Sequence, residues 1–156
     1  MKVYLKFLVS VAIPFIIMIV GSIFTSKGLG EWYTTLNKPS FNPPSWAFPI
    51  AWTTIYTLMG IAFFLIWQNK TEILFKPALL IYAIQLILNL FWPFFFFILK
   101  NPMLAFIDIV LLWIAIIATI VIFNKISTIT TYLLLPYLLW VSFASILNFS
   151  IMILNS

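Results

Sequence analysis

The residues with the most chemistry to offer are aromatic. Between Gly30 and Trp67 stand Trp32, Tyr33, Phe41, Trp46, Phe48, Trp52, Tyr56 and Trp67, punctuated by Pro39, Pro43, Pro44 and Pro49, with no charged residue after Lys38. Indole and phenol faces at that density suit stacking against a flat apolar ligand. As lipid filler they would be wasteful, because rings facing alkane gain little that leucine would not. A proline-stiffened loop feeding an aromatic-faced helix therefore reads as a lid over a cavity. The same residues also fit an aromatic belt at headgroup level, and composition does not separate the two.

Other chemistries are bounded by what the chain lacks. With 0 His and 0 Cys there is no disulfide, no imidazole or thiolate metal site, no Cys or Ser-His nucleophile and no histidine ligand for haem iron. Asp108 is the only acidic side chain within an apolar stretch, and an intramembrane carboxylate defaults to a functional assignment. It stands near the start of its stretch, on the side of the lid, where Lys27, Lys38 or Lys100 would pair with it. That position favours a tether between lid and bundle over a proton relay. Glu31 and Glu72 read as solvated loop charges. The net charge of +5 is spread over isolated lysines, which suits membrane flanks and argues against nucleic acid as a partner.

The elements that must position these side chains follow from hydropathy. Hydrophobic residues make up 65% and charged residues 7% of 156, with a mean hydropathy of +1.19; a soluble globular domain is excluded. Crossing about 30 Å of hydrocarbon takes roughly 20 apolar residues at about 1.5 Å each. Five apolar stretches qualify: 7–24, 46–67, 77–99, 102–123 and 132–154, with the lid at 27–45. The first is too long for a signal peptide and has no small-residue cleavage site. The runs are also too continuously apolar for barrel strands. Backbone groups in lipid must then bond within their own segment. The expected fold is all-α: one domain over 1–156, an integral membrane bundle of five transmembrane helices with a long structured first loop. Lys2, Lys6, Lys70, Lys76 and Lys125 on one side against Lys27, Lys38 and Lys100 on the other place the N-terminus in the cytoplasm and the lid outside.

Helical spacing adds a second line. Trp52, Tyr56, Met59 or Gly60, Phe63 and Trp67 recur at steps of three and four, as do Tyr82, Gln85, Asn89 and Trp92, and Tyr137, Trp140, Ala144 and Asn148. Each set shares one helix face. Asn89 lies mid-span, where an unsatisfied amide costs several kcal/mol, and must point inward. Gln85 and Asn148 follow the same logic. For these amides alone, hydrogen bonding between helices is favoured over ligand binding. Pro14, Pro93 and Pro136 fall inside spans and open space by bending them, while Gly60 and Ala144 leave room among large rings or allow close packing.

The ordered set Trp32-Tyr33, Leu36, Lys38-Pro39, Pro43-Pro44, Trp46, Trp52, Tyr56, Met59-Gly60, Trp67, Gln85-Leu86, Asn89, Trp92, Asp108, Pro136-Tyr137, Trp140, Ala144 and Leu147-Asn148 resembles the translocator protein family, also called tryptophan-rich sensory proteins or peripheral-type benzodiazepine receptors, in a bacterial form. The resemblance implies a five-helix bundle in the bacterial cell membrane, often a homodimer. Its cavity under the first loop binds porphyrins such as protoporphyrin IX and isoquinoline carboxamide or benzodiazepine ligands, with no cofactor required. Carried over by position, Tyr33, Pro43, Trp46, Trp52, Asn89, Trp92, Trp140 and Ala144 would line that cavity. Light- and oxygen-dependent porphyrin breakdown in the family points to Trp52 and Trp140 as its tryptophans, since a photoexcited porphyrin can draw an electron from an indole without any base or metal. The alternative is a non-enzymatic tetrapyrrole or lipid carrier or stress sensor. The family's C-terminal sterol pattern is missing: Leu147 is followed by Asn148, Phe149, Ser150 and Ile151, without the tyrosine or the cation.

Overall fold

The computed structural model describes residues 2–69 and 71–156; Lys70, one of the lysines weighed for topology, lies outside them. The chain runs α1 (Val3–Gly28), α2 (Glu31–Thr35), α3 (Ala47–Gln68), α4 (Phe75–Pro93) with a π-helical continuation (Phe94–Ile98), α5 (Pro102–Ile126) and α6 (Ile129–Leu154), with no strand among the described residues. Five helices are long and apolar enough to cross a membrane, α4 being counted with its π turn. Most run past the apolar stretches that define them, because a lipid-embedded backbone keeps its own ladder until polar side chains or a turn take over the last groups.

Local chemistry sets the ends. Pro49 falls in the first turn of α3, where the missing N–H is one that has no helical partner anyway. Asn69 closes that helix, its amide donating to the Leu65 carbonyl at 2.9 Å. Pro93 lacks an N–H, and its ring excludes the preceding turn's carbonyl. Beyond it the ladder slips to wider rings, with the Leu99 N–H donating to Phe94 O at 3.0 Å. Lys100 then turns the chain in the left-handed region, at φ 52°. Asn101 caps α5, its Oδ1 accepting from the Leu104 N–H at 3.0 Å. At Pro14 and Pro136 the helices continue uninterrupted, so of the prolines within spans only Pro93 coincides with a change of helix type.

The membrane helices close a ring in the order α1, α3, α6, α5, α4. The striped faces point into it: Tyr56, Met59, Gly60 and Phe63 of α3, Tyr82, Gln85, Leu86 and Asn89 of α4, and Tyr137, Val141 and Asn148 of α6 are buried. The core falls into a long cluster through the ring, around Met59, Tyr82, Leu112 and Tyr137. A shorter one at the lid end is built on Phe96, Phe97, Ala105, Leu147 and Ile151.

Close helix approach depends on two glycines. A Cβ at Gly60 would lie 2.7 Å from Val11 Cα on α1, and one at Gly28 would lie 2.4 Å from Phe97 Cβ and 2.6 Å from its carbonyl oxygen. Both neighbours are close to backbone and cannot swing aside. We expect Gly60→Ala and Gly28→Ala each to cost about 1–3 kcal/mol by forcing helices apart, read as a lowered Tm in detergent. Gly21→Ala, whose nearest atom is Pro93 Cγ at 3.5 Å, should be close to neutral.

Candidate functional site

The site rests on a polar network in the middle of the ring. The Tyr56 hydroxyl of α3 donates to Asn89 Oδ1 of α4. The Asn89 amide donates to the Tyr137 hydroxyl of α6 at 2.7 Å, and Tyr137 donates to Gln85 Oε1 at 2.9 Å. All four side chains are buried, and their direct side-chain bonds link α3, α4 and α6. Asn89, a predicted ligand contact, thus has both ends of its amide engaged by tyrosines, the interhelical role favoured for it by its depth. Nearer the lid, Asn148 does the same: Oδ1 accepts from the Trp92 indole at 2.9 Å, and its amide donates to the Pro102 carbonyl at 2.8 Å, joining α4, α5 and α6.

Above the network the surroundings become aromatic. Trp52 lies against Tyr56 with ring centroids 5.5 Å apart and edge-on to Tyr137 at 6.5 Å. Trp140 meets Phe48 edge-on at 5.9 Å and Phe143 at 5.7 Å. Trp92 stacks on Phe96 at 5.3 Å. The lid helix α2, which sequence periodicity did not reveal, sets Trp32 on Phe96 and Tyr33 on Phe97, each at 5.7 Å. Trp52, Trp92, Trp140, Ala144, Tyr33 and Pro43 are all partly buried. Trp46 is different: at the head of α3 it is 66% exposed, on the rim rather than in the wall.

Polar bonds fold the lid on itself and fasten it to the end of α6. Lys38 Nζ donates to the carbonyls of Tyr33 at 2.7 Å and Leu36 at 3.2 Å and sits 4.5 Å from the Tyr33 ring centre. Burial pushes the Tyr33 phenol above its ordinary range, so it stays neutral beneath that ammonium. At the neighbouring position Asn37 and Asn155 clasp reciprocally: the Asn37 N–H donates to Asn155 Oδ1, and the Asn155 amide donates to the Asn37 carbonyl, both at 2.9 Å. The expected ion-pair tether through Asp108 is therefore corrected. Lys38 is committed to backbone carbonyls, and Asp108, 4% exposed, has its Oδ2 buried without a hydrogen-bond partner among the described residues. Lid and bundle are joined by amides of the first loop and of the C-terminal end of α6.

Two grooves lie elsewhere than among the predicted ligand contacts. One, of about 310 Å³, runs between α4 and α5 past Asp108; the other, of about 380 Å³, lies between Pro39 and the end of α6. Neither is lined by any of the predicted ligand contacts. With the lid seated, the aromatic side chains beneath it pack on one another. Cutting the clasp should loosen that cover. Asn155→Ala is expected to cost about 1 kcal/mol and to speed amide hydrogen exchange across residues 31–45, leaving exchange in the ring of helices unchanged.

Comparison with known proteins accords with this architecture. The model of the TspO/MBR family matches residues 10–154. The tryptophan-rich protein TspO of Chlorobaculum tepidum is 47% identical over 139 residues, 86% of each chain. That of Archaeoglobus fulgidus is 41% identical over 154 residues, 97% of this chain and 98% of its own. The human translocator protein is 38% identical over 136 residues, 85% of this chain and 79% of its own. With five membrane helices ringed beneath a fastened aromatic lid, and with similarity extending over nearly its full length, the chain belongs to the TspO/MBR family of multi-pass membrane proteins.

Proposed function

We propose that the chain binds a flat tetrapyrrole of the protoporphyrin IX type beneath the lid, in a site that also takes isoquinoline carboxamide or benzodiazepine-like molecules. The observation that carries this reading is the placement of Trp52 and Trp140. They are partly buried on the adjacent helices α3 and α6, flanked by Tyr56, Tyr137, Phe48 and Phe143, under a cover attached at few points. Aromatic walls of this kind offer a macrocycle large stacking area at little entropic cost. The imidazole and thiolate ligands that hold haem iron are absent from the chain, so the metal-free ring is the better fit. Relatives are named tryptophan-rich sensory protein and translocator protein, which suits a binding role.

Bound there, the pigment would lie against indoles. Light promotes it to an oxidant, an indole supplies an electron, oxygen adds to the reduced ring, and the electron returns to the indole radical cation as both oxygen atoms stay on the pigment; no general base is needed. The excess of Lys2, Lys6, Lys70, Lys76 and Lys125 over Lys27, Lys38 and Lys100 supports a cytoplasmic N-terminus in a cell membrane, with the lid on the far face.

Titrating the purified protein with protoporphyrin IX should quench tryptophan fluorescence saturably. The double variant Trp52→Phe, Trp140→Phe keeps apolar rings in place and is expected to retain affinity but lose the light-dependent fall in porphyrin absorbance. Undiminished bleaching would leave a carrier or sensor as the reading, and a linear, unsaturable titration would remove both.

A further inference from the structure

Asp108 has no part in the lid or in the aromatic site, yet it is the one acidic side chain within the membrane helices. It lies about 9 Å along α5 from Pro102, 4% exposed, with Oδ2 enclosed and unpartnered among the described residues. A carboxylate at membrane depth is costly, and such groups as a rule pair with one another, with a cation or with a donor. Asp108 borders the groove of about 310 Å³ between α4 and α5, whose other walls are apolar: Leu88, Phe91 and Phe95 on one side, Ile107 and Leu111 on the other. Phe91 and Phe95 stack at 5.6 Å with an interplanar angle of 20° and present ring surface to that groove.

We infer that this groove is a lateral binding site for a lipophilic amine, an amphiphile whose ammonium meets the Asp108 carboxylate while its chain lies along Leu88, Ile107 and Leu111. Charge and geometry select that occupant over others of similar shape. A hydroxyl would satisfy one oxygen and leave a negative charge buried, and a carboxylate would add a second. An ammonium supplies several N–H donors and cancels the charge, and the faces of Phe91 and Phe95 attract a cation and repel an anion. The volume is at the low end for ligand pockets, about 300 to 1,000 Å³, which suits a single alkyl chain better than a broad ring system.

The test uses the full chain in phosphatidylcholine nanodiscs and equilibrium binding of isotopically labelled dodecylamine, dodecanol and dodecanoate, with empty nanodiscs subtracted. Dodecylamine should bind saturably, about tenfold or more tighter than the other two. Asp108→Asn, which keeps the shape and removes the charge, should abolish that preference. Leu111→Trp fills the groove while leaving the carboxylate intact; it should lower amine binding by a similar factor, and it keeps the test valid should Asp108→Asn fail to fold by circular dichroism. Equal binding of dodecanol and dodecylamine, wild-type amine affinity in a folded Asp108→Asn or in Leu111→Trp, or no saturable amine binding would each overturn the assignment.

Discussion

Everything near the candidate site depends on the demand that polar groups inside a lipid-embedded ring satisfy one another. Tyr56, Asn89, Tyr137 and Gln85 meet that demand along a single line that crosses α3, α4 and α6. In water any of these bonds would be exchangeable for one to solvent. In hydrocarbon the alternative is an orphan group, so the line specifies which helix faces meet and at what depth. The indole of Trp52 lies against Tyr56 of that line, and that of Trp92 is fixed by a second amide on the same principle, its bond to Asn148.

The bundle itself was largely legible from the sequence, because membrane helices announce themselves by length and hydropathy. The aromatic and amide stripes at steps of three and four also named inward faces, and Tyr56, Tyr82, Gln85, Asn89, Tyr137 and Asn148 are buried. What escaped was short-range or bonded at a distance. The five residues of α2 are too few to show a period, and the cue available was Glu31 following Gly30 at a helix start. The clasp of Asn37 and Asn155 joins positions 118 residues apart, and a lone asparagine after an apolar helix carries no mark of its partner. Asp108 departs from the sequence expectation for a related reason. Proximity in membrane depth suggested a lysine partner, but Lys38 finds carbonyls within its own loop, a nearer and entropically cheaper arrangement.

A division of labour between rigid and releasable parts follows. Gly60 and Gly28 allow α1 to lie against α3 and the π turn at backbone distance, and those contacts cannot relax without moving whole helices. The lid, by contrast, is held to the bundle by side-chain amides and ring contacts, interactions that are individually worth about 1 kcal/mol. A ligand stacking on the freed indoles would offset their loss without disturbing the ring below.

The π turn after Pro93 has an effect on side-chain direction. In an α-helix neighbouring side chains diverge by about 100°, so two consecutive phenylalanines cannot both face the interior squarely. Wider winding reduces that divergence, and Phe96 and Phe97 are indeed both buried, at 2% and 7% exposure. The proline thereby converts a linear run of identical residues into a paved surface, broad enough for Trp32 and Tyr33 to rest on side by side.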